Sequence, residues 1–204
     1  NLGPALTVTK FGTPEQKKKY VPGWVAGTQL GFFAMTEPNT GSDVASMKTH
    51  AIDRGDHFEV HGNKMWISQA HVGDAGLLYA YTDKSKGNKG MTAFIIEPKK
   101  MKGCTARPIE TKLGLQCAPT GEFVFEGMKV PKENVLGQVG GDSSIRLSTS
   151  STRRCGGGNQ GSRRRALAVT VAAQQAHAGH FAQRFFQVFL HRRDPVDQAK
   201  PQGF

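Results

Sequence analysis

Residues 46–68 constrain the fold more than any other stretch. Phe58 and Val60 alternate with His57, Glu59 and His61, the period-two pattern of a strand with one buried face. Just before them, Asp53-Arg54-Gly55-Asp56 supplies hairpin-turn chemistry, so residues 46–53 and 57–68 are expected to pair. Apolar runs at 77–81, 91–96 and 123–130 read as further strands, with turns of Gly, Asn, Asp and Lys between them. Short strands with regular turn signals predict a small antiparallel β-barrel or sandwich.

Ahead of the strands, Thr13-Pro14-Glu15-Gln16 has the form of a helix start. Thr13 can cap, Pro14 suits the first turn, and Gln16 completes a capping box. Tyr20, Val21, Trp24 and Val25 then give a helical stripe, which Pro22 is expected to kink or shorten and Gly27 to stop. The expected architecture is therefore α+β. It comprises a helical segment over residues 1–32, a β-domain over 33–138, and a segment over 139–204 of different character.

That last segment differs in its cations. Residues 1–139 hold 15 Lys and 2 Arg with 13 acidic residues; residues 140–204 hold 1 Lys and 9 Arg with 3 acidic residues. No Glu follows Glu133. The segment is expected to be either helical, with Phe181, Phe185 and Phe189 at spacing four, or disordered. The formal charge of +11 and pI near 9.8 point to an anionic partner: nucleic acid, an acidic membrane, or a phosphorylated ligand such as coenzyme A.

Three cysteines, Cys104, Cys117 and Cys155, with no Cys-x-x-Cys spacing, indicate neither a disulfide framework nor a zinc site. A reducing compartment is the simpler reading. No apolar run approaches the ~20 residues of a membrane span, and no signal-peptide pattern is present. The first residue is Asn1, so a fragment is expected.

Residues 33–43 carry the chemistry: Phe33-Ala34-Met35-Thr36-Glu37-Pro38-Asn39-Thr40-Gly41-Ser42-Asp43. Pro38 ends a short apolar strand. Thr36 and Ser42 offer hydroxyls that donate and accept, and Gly41 lets backbone approach a ligand. Such a loop suits the polar edge of a planar ring, or a phosphate; it also suits an ordinary surface turn. In Lys64-Met65-Trp66-Ile67-Ser68, Trp66 and Ser68 share a strand face. Trp66 could cover an aromatic cofactor while Ser68 bonds its edge, or Trp66 could be a core residue.

Taken together, these blocks resemble the acyl-CoA dehydrogenase family. The resemblance runs from about Phe11 to Gln138. It includes Phe11-Gly12-Thr13-Pro14-Glu15-Gln16-Lys17, the loop just described, Gly62-Asn63-Lys64-Met65-Trp66-Ile67-Ser68, Lys112-Leu113-Gly114-Leu115, and the run from Phe125 through Val130-Pro131 to Gly137. It implies the end of an amino-terminal helical domain followed by a middle β-domain. It further implies FAD as cofactor, an acyl-CoA substrate, an electron-transfer flavoprotein as electron acceptor, and a homotetrameric parent.

Carried over by resemblance, Phe33, Met35, Thr36, Gly41, Ser42, Trp66, Ile67 and Ser68 would contact FAD. Ser42 would also contact the acyl-CoA. Phe33 stands where many relatives have Tyr, and Ser68 where many have Thr. The Glu37–Ser42 stretch and Tyr79-Ala80-Tyr81-Thr82-Asp83-Lys84 look most like glutaryl-CoA dehydrogenases. The resemblance implies cytoplasm for a bacterial source and mitochondrial matrix for a eukaryotic one. The family's base lies in a carboxy-terminal helical domain. The later acids here, Asp142, Asp194 and Asp197, have no matching context, so no catalytic residue is assigned. A frame change near residue 140 would explain both the loss of similarity and the Lys-to-Arg switch.

Three other constellations carry less. Gly156-Gly157-Gly158-Asn159-Gln160-Gly161 matches a dinucleotide fingerprint formally, but lacks the preceding strand and the acid ~20 residues on. His57, Glu59 and His61 could suit a metal, yet a solvent face opposite Phe58 and Val60 accounts for them. Arg153-Arg154, Arg163-Arg164-Arg165 and Arg192-Arg193 could bind nucleic acid, but a solvated or non-native tail is the preferred reading.

Overall fold

A computed structural model of the protein describes residues 2–141. The Phe181 stripe, the Gly156–Gly161 motif, the Arg clusters and the late acids lie outside the described residues.

Two helices lead. The first, α1 (Leu2–Phe11), was not anticipated from the sequence; the second, α2 (Pro14–Ala26), was. The capping box forms as expected: Gln16 N–H donates to Thr13 Oγ1 at 3.3 Å, and Thr13 N–H to Gln16 Oε1 at 3.1 Å. Gln16 does more than cap. Its Nε2 donates to the carbonyls of Glu133 and Val135, at 2.8 and 2.9 Å, and so ties α2 to the far end of the β-domain.

Pro22 does not shorten α2, contrary to expectation; the helix runs 13 residues to Gly27, which stops it with φ 74°. An interior Pro costs on the order of 3 kcal/mol. Trp24, 1% exposed and stacked on Tyr20 at 5.5 Å, anchors the turn beyond it by burial of similar worth.

Eight strands follow: β1 (Gly31–Ala34), β2 (His50–Asp53), β3 (His57–Ser68), β4 (Ala75–Tyr81), β5 (Met91–Ile96), β6 (Cys104–Pro108), β7 (Thr120–Pro131) and β8 (Val135–Leu136). The β2–β3 hairpin forms with Arg54 N–H bonded to the His57 carbonyl at 2.9 Å and Gly55 at φ 95°. The sheet order is β6-β7-β3-β2-β4-β5-β8, with β1 beside β4.

Most pairs are antiparallel, as expected. Two are not: β1 runs parallel to β4 over four residue pairs, and β2 parallel to β4 at His50–Tyr81. The β2–β3 hairpin intervenes between β1 and β4 in the chain, so β1 returns to the sheet in the same direction as β4 rather than by a tight turn. The short strands β6 and β8 were not foreseen. β6 carries a Pro and an Arg and buries little, so its apolar signal is weak.

The sheet curls around one core and lays its other face against the helices. Phe32, Phe58, Val60, Ile67, Phe94, Phe123 and Val130 fill the first cluster. Val8, Tyr20, Trp24, Met47, Leu77, Tyr79 and Ile95 fill the second. β4 and β5 contribute alternate residues to each and are buried along their whole length, which is why they read as continuous apolar runs.

Glu97, at the end of β5, fastens α2 to the sheet. It accepts from Tyr20 Oη at 2.7 Å and pairs with Lys19 at 2.7 Å and Lys100 at 2.5 Å. Burial alone would raise its pKa, but Lys100, Lys19 and Tyr20 outweigh burial and hold it at about 2.

Candidate functional site

The candidate site is built on a buried ion pair that joins two distant segments. Lys64, in β3, has a side chain 0% exposed; Glu37, just past β1, is 4% exposed. Lys64 Nζ donates to Glu37 Oε1 and to the Met35 carbonyl, each at 3.0 Å. Glu37 also accepts from the backbone N–H groups of Lys48 at 2.7 Å and Thr49 at 3.0 Å. Burial opposes its ionisation, yet the Lys64 charge and those two N–H groups outweigh burial and keep the carboxyl below its usual range.

Lys64 points inward because it keeps the phase set by Phe58 and Val60. A bulge separates Val60 from His61, and Gly62 takes φ 131° there. A Cβ on Gly62 would sit 2.7 Å from Thr49, so the position also requires glycine for space. The register slip between Val60 and His61 adds Gly127 on β7 rather than a residue in β3, so alternation along β3 is kept as far as Lys64.

A second irregularity lies between Lys64 and Ile67, and it presents Trp66. Met65 N–H bonds the Thr36 carbonyl at 2.9 Å, locking the bulge to the 36–43 loop. Trp66 takes φ 62°, a left-handed conformation that costs a non-glycine residue about 1 kcal/mol or more. Its indole is 54% exposed, so Trp66 is not a core residue. Ser68 is exposed as well, and between them Ile67, 2% exposed, points into the first core cluster.

The 36–43 loop is tight at its base and open at its tip. Glu37 and Thr40 exchange both backbone hydrogen bonds, at 3.0 and 3.1 Å. Gly41 and Ser42 are exposed, and a Cβ at Gly41 would meet nothing within 4 Å. Ser46 then bonds the Asp43 carboxylate, which turns the chain toward β2.

The residues singled out from sequence thus divide by position. Thr36 and the Met65–Trp66 bulge are brought together by direct hydrogen bonding, and Trp66 and Ser68 are both exposed. Phe33 and Met35 both pack against the second core cluster. Phe33 stacks on Tyr79 at 5.9 Å, and its ring lies so close to Gly3 that a Cβ there would approach to 2.9 Å. Ile67 can offer a ligand only its backbone. Gly41 and Ser42 face solvent at the loop tip.

Lys112-Leu113-Gly114-Leu115 lies in the β6–β7 connection, which adjoins the end of β3. Gln69 N–H bonds the Pro119 carbonyl at 2.7 Å, and Ser68 pairs with Thr120. Lys112 Nζ holds this connection through the carbonyls of Leu115 and Ala118 and the Thr120 hydroxyl. Leu113 and Leu115 are fully and largely exposed.

The His57, Glu59 and His61 trio holds no metal-binding arrangement. Glu59 is engaged by Arg54 at 2.9 Å and His61 at 2.7 Å, while His57 bonds Asp56. No cluster of potential metal ligands occurs among the described residues.

Comparison with known proteins gives a consistent result. Residues 32–128 match the family model described as acyl-CoA dehydrogenase, middle domain. A glutaryl-CoA dehydrogenase from Desulfococcus multivorans is 46% identical over 144 residues, which are 71% of this chain and 37% of that protein. The solved structure of a glutaryl-coenzyme A dehydrogenase in complex with glutaryl-CoA superposes with a TM-score of 0.71 at 44% identity, over 72% of this chain and 37% of that one. Butyryl-CoA dehydrogenase from Megasphaera elsdenii superposes with a TM-score of 0.71 at 32% identity, over 93% of this chain and 50% of that one. The chain spans about two fifths of the length of the curated relatives it matches.

Proposed function

Residues 32–128 are an acyl-CoA dehydrogenase middle domain, and from that premise we propose that the chain forms one wall of a site for FAD-dependent α,β-dehydrogenation of an acyl-CoA. The favoured substrate is short-chain or dicarboxylic, of the glutaryl-CoA type, with electrons passed on to an electron-transfer flavoprotein. The observation that carries the reading is Trp66. An indole half-open to solvent, held in a strained turn and fastened by hydrogen bonding to the Thr36 loop, makes a poor core residue and a good ring platform.

The residues present fit a flavin. Trp66 would cover a ring face, Ser68 and Thr36 would supply hydroxyls to its polar edge, and the open tip at Gly41 and Ser42 leaves room for phosphate or acyl-CoA. When bound, FAD supplies the acceptor for the hydride that leaves the acyl β-carbon.

The chain's own part is to position. The Glu37–Lys64 pair fixes the separation between the Thr36 loop and the Trp66 bulge, so both are set before any ligand arrives. An apolar indole face excludes water from one side of the ring.

Proton abstraction from the α-carbon needs a carboxylate; the family's base lies in a carboxy-terminal helical domain, and Asp142, Asp194 and Asp197, the acids after Glu133, have no matching context. The chain is therefore read as an incomplete unit that binds without turnover. The test is a visible spectrum of the purified chain with added FAD, followed by glutaryl-CoA or butyryl-CoA and an artificial electron acceptor. The expected outcome is a perturbed flavin spectrum with no acceptor reduction. Measurable turnover would overturn the incomplete-unit reading, and a flavin spectrum identical to that of free FAD would overturn the binding reading.

A further inference from the structure

We propose that Gly3, in α1, is a positioning residue for the flavin wall: the gap it leaves seats the Phe33 ring, which the cofactor then meets in one fixed place; this rests on the flavin reading above. The helix α1 lies outside residues 32–128, yet it is fitted to β1 by two glycines. A Cβ on Gly3 would stand 2.9 Å from Phe33 Cε2 and 3.3 Å from Phe33 Cδ2. A Cβ on Gly31, at the start of β1, would stand 3.2 Å from Pro4 Cγ. Each element thus omits a side chain where a ring of the other enters. Carbon atoms pack best at about 3.5–4.0 Å, so a methyl group at Gly3 would overlap the Phe33 ring. The φ of Gly3 is not positive, so this glycine is needed for room alone.

Neither side of this contact yields easily. The Gly3 carbonyl accepts from the Thr7 hydroxyl at 3.0 Å, and Ala5 and Val8 bury α1 in the second core cluster. The Phe33 ring stacks on Tyr79 at 5.9 Å, 13° from parallel, and Tyr79 is 0% exposed. Phe33 is also the one residue of β1 that is only partly buried. Its ring can therefore offer a ligand a surface while its packing holds that surface still. Just beyond β1, the Met35 carbonyl accepts from Lys64 Nζ, and the Thr36 carbonyl from the Met65 N–H. A shift of Phe33 is thus passed on to the loop and to the Trp66 bulge.

Helix propensity and the seat make opposite predictions. Alanine is the better helix former, so Gly3→Ala should hold or raise stability if Gly3 does no more than build α1. If Gly3 seats Phe33, the added methyl displaces the ring and FAD binding falls.

The test is the FAD affinity of the full chain, by flavin fluorescence anisotropy, for the wild type, Gly3→Ala, Phe33→Leu and the double variant. A supporting residue misplaced by about 1 Å is enough to degrade a site, so Gly3→Ala should weaken binding by about fivefold or more. Phe33→Leu removes the Cε2 atom that the methyl would meet. In that background Gly3→Ala should change affinity by less than about twofold. The absorption spectrum of bound flavin should differ between wild type and Gly3→Ala, and coincide for the two proteins that carry Phe33→Leu. Wild-type affinity in Gly3→Ala, or an equal loss in both backgrounds, would overturn the seat. The two claims fail differently. A wild-type chain that leaves the spectrum of free FAD unchanged rejects the wall and the seat together, whereas FAD binding unaffected by Gly3→Ala rejects the seat alone.

Discussion

Lys64 Nζ sits 3.0 Å from Glu37 Oε1 with both side chains buried, and the same ammonium group bonds the Met35 carbonyl. This pair couples the loop after β1 to the bulge in β3, the two segments expected to meet a cofactor. Removing one partner strands a buried charge, which costs about 3–5 kcal/mol. Lys64→Met should therefore lower stability by about that amount in urea unfolding. Lys48→Met should change it by less than about 0.5 kcal/mol, because only the Lys48 backbone N–H serves Glu37. Equal effects of the two substitutions would contradict the role given to the pair.

The two tryptophans should respond oppositely to truncation. Trp24 is 1% exposed, so Trp24→Ala should cost about 3–5 kcal/mol. Trp66 holds a left-handed backbone with its indole half-exposed, so Trp66→Gly relieves strain while giving up little burial. Its stability should match or exceed wild type, within about 1 kcal/mol. Thermal unfolding of both variants checks the contrast; a Trp66→Gly loss as large as that of Trp24→Ala would place Trp66 in the core.

The contrast also marks what was legible in the sequence. The hairpin was, since Phe58 and Val60 set the buried face and Gly55 the turn. So were the α2 cap at Thr13 and Gln16 and the long apolar strands β4 and β5. The buried pair was not: Glu37 and Lys64 stand within quoted motifs, but a charged residue is ordinarily solvated, and nothing local says that one charge awaits the other 27 positions away. Gly62 was the available signal, because a glycine inside a strand marks a bulge or a close approach. Trp66 was ambiguous because its exposure follows from a backbone twist that alternation cannot encode. The parallel β1–β4 pairing depends on a long connection, and α1 has too little amphipathic contrast to announce itself. The loop after β1 was legible; its tie to the β3 bulge was not.

Acid should loosen the docking of α2. Glu97 titrates at about 2 in the folded chain and near 4.5 when unfolded, because Lys100, Lys19 and Tyr20 favour its ionised form against burial. The stabilisation is fully present above pH 4.5 and is lost as pH falls toward 2. It should amount to roughly 3 kcal/mol. Glu97→Gln should flatten that part of the stability-against-pH curve measured by urea unfolding. A slope between pH 4.5 and 2 that is unchanged in the variant would assign the acid sensitivity to other carboxylates.

Ser68 is expected to act through its hydroxyl. Ser68→Ala should weaken FAD binding about five- to tenfold, near 1 kcal/mol for one hydrogen bond, while Ser68→Thr retains it. Because Ser68 is exposed, neither substitution should move the unfolding midpoint appreciably. Binding measured by flavin fluorescence anisotropy checks this; equal affinities for all three proteins would remove Ser68 from the site.

The central claim, that the Thr36 loop and the Trp66 bulge form a flavin wall, is tested most directly by titrating the chain with FAD while following tryptophan emission. Trp24 is buried and Trp66 exposed, so the two signals are separable by comparing Trp24→Phe with Trp66→Phe. Saturable quenching is expected at about millimolar FAD or below, preserved in Trp24→Phe and abolished in Trp66→Phe. Quenching that persists in Trp66→Phe, or none in a folded Trp24→Phe chain, would contradict it.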